Sequence, residues 1–477
     1  MVKQGSAEGS LSQAVADRCA NATPWVAVVA PYAFGTTVVM WAIGYLSHLD
    51  FVSAPKFALA ILMVIPIAGG RAAARQVIPA RRWQIGGATG LLSAILNLLI
   101  LASILANPAE EERGASTLAL QVGGFLLAQS FLGALGGFTV RGAPTLEPFS
   151  AEREGTRLFA RIAAGATFLL VILGGIVTSH EAGLAVPDWP TSFEANMFLL
   201  PLSRMVSESG IYYEHAHRLF GALVGLTTLA VCLYLWRYES RRAIRLLGTV
   251  AFVMVCVQGV MGGLRVESAV DAAAAVESDK SLTLRVAHGV SGQIFFATMV
   301  GLTVLVSRGW RREGVVARTT ARGERRTALV LSAAAIGQLF LGALVRHIDR
   351  TWLMPHILGA VVVGALVVWV AVRATTSEPT SLPVRSSGLA LLFLVITQWF
   401  LGFFALAVTG SEARAASSGP LETLVATSHQ ATGALILAAI AVHTLRVFRH
   451  LELGSEASMA GGSAASDLGE NRPGSSA

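Results

Sequence analysis

Twelve long apolar stretches run through this chain of 477 residues, and they limit it to folds that cross a membrane. Lipid cannot satisfy backbone polar groups, so a spanning helix satisfies its own and needs about 20 mainly apolar residues. Charged residues make up only 14% of the chain, against about 25% in soluble domains. We therefore predict an all-α polytopic membrane protein with helices near 25–47, 55–70, 84–106, 116–138, 158–178, 213–236, 243–264, 284–307, 327–346, 353–373, 387–409 and 422–446.

Polar segments divide these helices into groups. The clearest is 139–157, which contains Pro144 and Pro148. The predicted order is a cytoplasmic tail (1–24), four extra helices of unknown role (25–138), a cytoplasmic linker (139–157), a four-helix bundle (158–307), a second linker (308–326), a second four-helix bundle (327–446) and a disordered tail (451–477). The stretch 55–70 is short enough to be interfacial, and the polar amino-terminal segment indicates no cleaved signal peptide.

Arginines indicate the orientation, because cytoplasmic loops carry the excess of Lys and Arg. They cluster in alternate loops, at 71–82, 237–242, 308–326 and 373–385. We therefore expect these loops and both termini to be cytoplasmic. Orientation and anionic lipid also explain the net charge of +7, so no nucleic acid is expected as a partner. The cysteines Cys19, Cys232 and Cys256 have neither disulfide nor zinc spacing.

Histidines recur in the last eight helices. One lies in the first turns of each even-numbered helix, at His217, His288, His356 and His429. Odd-numbered helices carry a second element, a glutamine followed four residues later by glycine, in Gln258-Gly-Val-Met-Gly, Gln338-Leu-Phe-Leu-Gly and Gln398-Trp-Phe-Leu-Gly. The two four-helix halves therefore look like duplicates, with the four histidines at similar depth near the outer face.

Two histidines per half, from different helices, are suited to clamping a flat macrocycle inside a helix bundle. The alternative is hydrogen bonding between helices, which the cost of an ionisable group inside the membrane disfavours for four recurrent positions. Zinc or copper would need more convergent ligands than two per half. Glycines on nearly the same helix faces would admit a large planar ligand, or would serve helix packing: Gly221, Gly292, Gly359 and Gly433.

Polar residues near the first pair make it different from the second. Glu214 shares a helix face with His217 and could exchange protons with a bound ligand, or simply favour the helix amino terminus. Arg218 is expected to pair with a haem propionate or with Glu214. Asp188 and Trp189 belong to a rigid outer loop, either a lid over this site or an aromatic anchor at the interface. His215 is expected to be interfacial.

The run Gly183-Leu-Ala-Val-Pro-Asp-Trp-Pro, followed by Glu214-x-x-His-Arg-x-x-Gly, resembles the haem A synthase family, over about 157–450. The resemblance implies an eight-helix core of two pseudo-symmetric four-helix bundles. It also implies an oxidoreductase that converts the C8 methyl of haem O to the formyl group of haem A for cytochrome oxidase, with haem b as cofactor.

Position by position, the resemblance implies that His217 and His288 bind the iron of haem O, with help from Arg218. Glu214 becomes the catalytic carboxylate, and His356 and His429 ligate haem b. The implied partners are an enzyme that makes haem O and a membrane or quinone-linked electron donor, in a bacterial cytoplasmic membrane. The chain departs from many members of the family because it lacks a cysteine pair in an outer loop and has four additional helices.

Two other functions remain open from the sequence. A dihaem b-type cytochrome that only carries electrons would share the four histidines, but would not need Glu214 or the outer loop. A transporter with duplicated halves would place its polar residues at the membrane midplane, whereas those of this chain cluster near the outer face.

Overall fold

The computed structural model describes residues 25–49, 55–100, 115–143, 151–269, 277–312, 314–409 and 419–454. Within them lie twelve long helices: α1 (Trp25–Leu46), α2 (Pro55–Ala74), α3 (Arg82–Ile100), α4 (Ala115–Phe138), α5 (Ala151–Ser179), α6 (Ser209–Tyr238), α7 (Arg242–Glu267), α8 (Asp279–Leu305), α9 (Ala321–His347), α10 (Leu353–Thr376), α11 (Leu382–Thr409) and α12 (Pro420–His450). All twelve of these described helices are long and apolar enough to cross a membrane, which confirms the predicted all-α polytopic class.

The helix surfaces agree with a lipid environment. Large apolar side chains project outward, among them Leu120 (76% exposed) and Phe403 (72% exposed). The stretch that seemed short from the sequence forms a helix of 20 residues, α2, long enough to span. The predicted amino-terminal tail with Cys19, the centre of the 139–157 linker and residues 455–477 lie outside the described residues.

Glycines allow α2, α3 and α4 to pack backbone against backbone. A Cβ on Gly70 or Gly86 would collide with the carbonyl group of Gly133, and a Cβ on Gly90 with that of Gln129. Such close approach is the usual use of small residues between membrane helices. The Gln129-to-Gly133 run, which echoes the glutamine–glycine element of the later helices, therefore serves helix packing in this region.

The described residues divide into two compact units, one within Met1–His288 and Ala413–Thr427, the other within Gly289–Glu412 and Ser428–Ala477. In the first unit, α1 is joined to α6 near both ends. The hydroxyl of Tyr212 donates to the carbonyl of Tyr45 at 3.0 Å, and that of Tyr234 donates to the carbonyl of Ala27 at 3.0 Å. The additional helices thus support the helix that carries Glu214 and His217.

The connection between α5 and α6 contains a hairpin of two short antiparallel strands, β1 (Thr191–Ser192) and β2 (Ala195–Asn196). Phe193 and Glu194 form its two-residue turn, both with positive φ, at 53° and 64°. That conformation is normally taken by glycine or asparagine, so the turn needs support from outside the hairpin.

The second unit contains a parallel strand pair, β3 (Val316–Arg318) and β4 (Leu451–Leu453). Leu451 is buried in an apolar cluster with Ala321, Ala374, Val384 and Val447. The prediction of a disordered tail from residue 451 is therefore wrong for these first residues, because the strand pairing and the apolar contacts of Leu451 order them. The buried Arg318 also pairs with Glu324 at 3.1 Å inside the predicted linker.

Candidate functional site

The four recurrent histidines form two pairs with nearly the same geometry. His217 on α6 and His288 on α8 lie in the first unit, with ring centroids 6.5 Å apart and ring planes inclined at 76°. His356 on α10 and His429 on α12 lie in the second unit, at 6.4 Å and 75°. The structure thus brings together the histidines that the sequence paired.

Both spacings fit an iron held between two imidazoles. A ligating nitrogen lies about 2.0–2.1 Å from a metal and about 1.1 Å from its ring centroid, so two rings on opposite sides of one ion have centroids about 6.3 Å apart. Among the described residues, no group of three or more His, Cys, Asp or Glu side chains converges on one point. Each pair could therefore offer two nitrogen ligands to one metal ion, the number that a haem iron can take from protein when its macrocycle provides the rest.

A glycine on another helix faces each histidine, a feature that the sequence analysis missed. A Cβ added to these glycines would lie close to the Cε1 atom of the histidine: 3.3 Å for Gly174 and His217, 3.5 Å for Gly262 and His288, 2.9 Å for Gly342 and His356, and 3.2 Å for Gly402 and His429. A Cβ at Gly342 would force the ring to shift, one at Gly174 or Gly402 would be tight, and one at Gly262 would make an ordinary contact. Three of the four glycines end the glutamine–glycine element that recurs in the sequence. The sequence therefore showed the element but not that its glycine faces a histidine.

The glutamines of that element also contact the histidines. Nε2 of Gln338 lies 3.0 Å from Nδ1 of His356 and donates to the carbonyl of the same residue at 2.8 Å. Nε2 of Gln398 lies 3.3 Å from Nε2 of His429. Partners of this kind fix the orientation of a ligating ring. The buried Nδ1 atoms of His217 and His429 have no hydrogen-bond partner among the described residues.

Glu214 is held in a defined position beside the first pair. It is 4% exposed. One carboxylate oxygen accepts a hydrogen bond from the backbone N–H of Val186 at 2.8 Å, and the other accepts one from Arg218 at 2.5 Å. Arg218 also donates to the carbonyls of Val186 at 2.9 Å and Asp188 at 2.6 Å. The carboxylate, the arginine and the outer loop therefore form one hydrogen-bonded group.

Asp188 supports the strained hairpin turn. Its carboxylate accepts hydrogen bonds from the backbone N–H groups of Phe193 at 2.6 Å and Glu194 at 2.8 Å. Burial raises the pKa of the Asp188 carboxyl, but hydrogen bonds from Thr191, Glu194 and Phe193 and the charge of Arg218 outweigh it, so this pKa lies below its usual range. Asp188 thus acts on the loop through the turn that it stabilises.

Trp189 packs against Gly263, where a Cβ would overlap its indole ring. Gly263 follows Gly262, the glycine that faces His288, so the indole packs against α7 one residue from that glycine. His215, expected at the interface, is instead buried at 1% exposure, with its Nδ1 3.2 Å from the Ser192 hydroxyl. The hairpin of β1 and β2 therefore covers the His215 side chain.

The glycines predicted to admit a planar ligand lie in different surroundings. A Cβ on Gly221 would meet no described atom of another helix within 4 Å. A Cβ on Gly359 would collide with the Gln338 side chain, and one on Gly433 would lie 3.5 Å from Nε2 of Gln398. Gly292 lies one turn after His288 on α8. Gly359 and Gly433 therefore make room for the glutamines that contact the histidines.

Comparison with known proteins gives a consistent result. Residues 157–357 match the family model COX15-CtaA, described as cytochrome oxidase assembly protein. The chain is 26% identical to the heme A synthase of Exiguobacterium sibiricum, over 41% of this chain and 60% of that protein. It is 30% identical to the heme A synthase of Listeria monocytogenes over 30% of this chain and 41% of that protein, and 30% identical to heme A synthase COX15 of Homo sapiens over 28% and 37%.

The aligned segments span less than two thirds of each of these relatives. The family match covers the outer loop, Glu214 and both histidines of the first pair. These matches agree with the resemblance seen in the sequence. Through residues 157–357, the chain is therefore similar to the COX15-CtaA family of cytochrome oxidase assembly proteins, and the relatives that it matches are named heme A synthase.

Proposed function

We propose that the protein is a haem A synthase, which oxidises the C8 methyl group of haem O to the formyl group of haem A. The observation that carries the proposal is the asymmetry between two otherwise equal histidine pairs. Among the described residues, only the first pair has a buried carboxylate, Glu214, on the face of its histidine helix. A protein that only carries electrons needs no carboxylate beside one of its two haems, whereas an enzyme with one reacting haem does.

In this proposal His217 and His288 hold the iron of the substrate haem O. Glu214 is the catalytic carboxylate, placed to accept protons released as the methyl group is oxidised or to stabilise positive charge that develops there. The Val186 N–H and Arg218 keep it in place. Trp189 and the hairpin cover this end of the site and restrict access of water.

The second pair, His356 and His429, would hold haem b. Bound between two histidines, haem b supplies one-electron transfer without an open position for oxygen. The protein's own contribution is positional: Gly342 and Gly402 let the rings approach, and Gln338 and Gln398 orient them. A hydrogen-bond partner of this kind fixes the orientation of a histidine ring and tunes its strength as a metal ligand.

We further propose that both termini are cytoplasmic and that the two histidine pairs lie near the outer face of a bacterial cytoplasmic membrane, as the arginine-rich loops indicate. A haem O-making enzyme would supply the substrate, and a membrane or quinone-linked donor the electrons. Among the described residues, the free cysteines are Cys232 and Cys256, inside α6 and α7. Electron delivery through an outer-loop cysteine pair is therefore not part of the proposal.

The test is to produce the full chain in cells that make haem O but no haem A, and to separate the extracted haems by chromatography. We expect hydroxylated haem O and haem A with the wild-type chain. Glu214→Gln should retain haem yet give no modified haem, while Arg242→Gln, an exposed substitution at the far end of α7, should convert normally. Recovery of haem b alone from the wild type would instead indicate an electron carrier.

A further inference from the structure

Two further arginines lie on the helix faces that carry the first histidine pair. Arg285 precedes His288 by three residues on α8, and Arg265 follows Gly262 by three residues on α7, so each lies about one turn from a site residue on the same face. Both are largely buried, with side chains 13% and 15% exposed. Arg265 is also close enough to Glu214, His217 and His288 to act electrostatically on all three.

The two guanidinium groups share one carboxylate, which also accepts a hydrogen bond from the Ser281 hydroxyl at 2.6 Å. Glu277 lies between them, with one oxygen 3.5 Å from Arg265 and the other 3.5 Å from Arg285. Tight charge-assisted hydrogen bonds measure about 2.7–2.9 Å, so these contacts are weak. Arg285 has a closer partner in Glu181 at 2.6 Å, but that side chain is 59% exposed.

Arg265 keeps unused donor capacity. Its Nη1 donates to the carbonyl of Gly183 at 3.0 Å. Its Nε is buried and has no hydrogen-bond partner among the described residues. Arg218, in contrast, is engaged by Glu214 and by loop carbonyls. A carboxylate entering the first site would therefore find the unpartnered Nε of Arg265, and at Arg285 it would compete with the exposed Glu181 side chain. Arg218 is already occupied.

The second histidine pair provides an internal comparison. The residues three after its facing glycines are Val345 and Ala405, and those three before its histidines are Leu353 and Ala426. All four are apolar. Arginine thus does not recur at these spacings beside the second pair, where the nearest one on α9 is Arg346, four residues after Gly342.

We propose that Arg265 and Arg285 form a carboxylate-binding site that recognises the propionate groups of the tetrapyrrole bound at the first pair. Glu277 occupies both guanidinium groups before the ligand arrives and gives way to it. This inference rests on the proposed function only in taking a haem as the ligand of the first pair. Carboxylates in a poorly hydrated site need charged partners, and arginine binds them in a fixed planar geometry.

The test compares binding of iron protoporphyrin IX with binding of its dimethyl ester, which has the same ring but no carboxylates. The full-length chain with His356→Ala and His429→Ala leaves only the first pair to bind, and Soret absorbance reports the titration. We expect the free acid to bind at least about tenfold more tightly than the ester, since each charge-assisted hydrogen bond is worth about a factor of ten.

Arg265→Gln and Arg285→Gln should each reduce affinity for the free acid by about tenfold and leave that for the ester unchanged. Arg285→Lys keeps the charge and should restore part of the preference, and the exposed Arg242→Gln should behave like the parent. If the variants lost affinity equally for the free acid and the ester, the arginines would have a merely structural role and the proposal would be overturned. Unchanged affinity of the variants for the free acid, or no binding of the free acid to the parent, would overturn it as well. Discrimination without haem A production would refute the proposed function alone.

Discussion

Gly342→Ala is expected to disturb the second histidine pair without weakening the helix that carries the substitution. A Cβ at this position would lie 2.9 Å from Cε1 of His356. Carbon atoms in contact prefer about 3.5–4.0 Å, so the ring must retreat by about 0.6 Å or more. Overpacking of this kind costs about 1–3 kcal/mol, which corresponds to a loss of haem affinity at this pair of about fivefold to about 150-fold.

The same substitution at two other glycines serves as a control. Gly337 lies on the same helix, and a Cβ there would meet nothing within 4 Å among the described atoms. Gly262 faces His288 at 3.5 Å, an ordinary contact distance. All three alanines favour helix formation equally, by about 1 kcal/mol. Reduced-minus-oxidised absorption of the purified variants, normalised to protein, measures the retained haem. Retention in Gly342→Ala equal to that in Gly337→Ala would refute the reasoning.

Three further predictions concern polar contacts. Gln338→Leu removes the side chain that orients His356, so retention of the second haem should fall by about tenfold or more, measured by haem content after detergent washing. Arg218→Gln releases Glu214 and the loop, so conversion of haem O should fall and proteolysis of the loop should quicken, while haem content stays constant. The folded-state pKa of Asp188 lies below its unfolded value, so its stabilisation of the loop is complete above about pH 4 and is lost as the pH falls through the folded pKa. Loop proteolysis should show that acid-side loss in the wild type, and Asp188→Asn should be cleaved quickly at every pH.

The sequence was sufficient for the helices and for the pairing of the histidines. Apolar length alone determines which segments can cross a bilayer, and α1 to α12 follow the predicted stretches closely. The pairing was predictable because the pattern occurs twice. His217 with His288 and His356 with His429 occupy corresponding positions, and duplicated halves place corresponding residues alike.

Other features depend on how distant segments meet, and the sequence could not show them. Gly174 faces His217, but the residue four positions before it is Leu170 and not the glutamine of the other three helices. The sequence motif therefore does not identify Gly174. The contacts of Glu277 with Arg265 and Arg285 need the end of α7 to meet the start of α8. His215 was misplaced because the hairpin that buries it is short and irregular.

The most direct measurement is the haem content of two paired variants made in cells that produce haem O but no haem A. His217→Ala with His288→Ala should retain haem b and yield no modified haem, because only the second pair remains. His356→Ala with His429→Ala should lose haem b and retain unconverted haem O. If both variants lose the same haem, or if either still forms haem A, then the division into one reacting site and one electron-transfer site is contradicted.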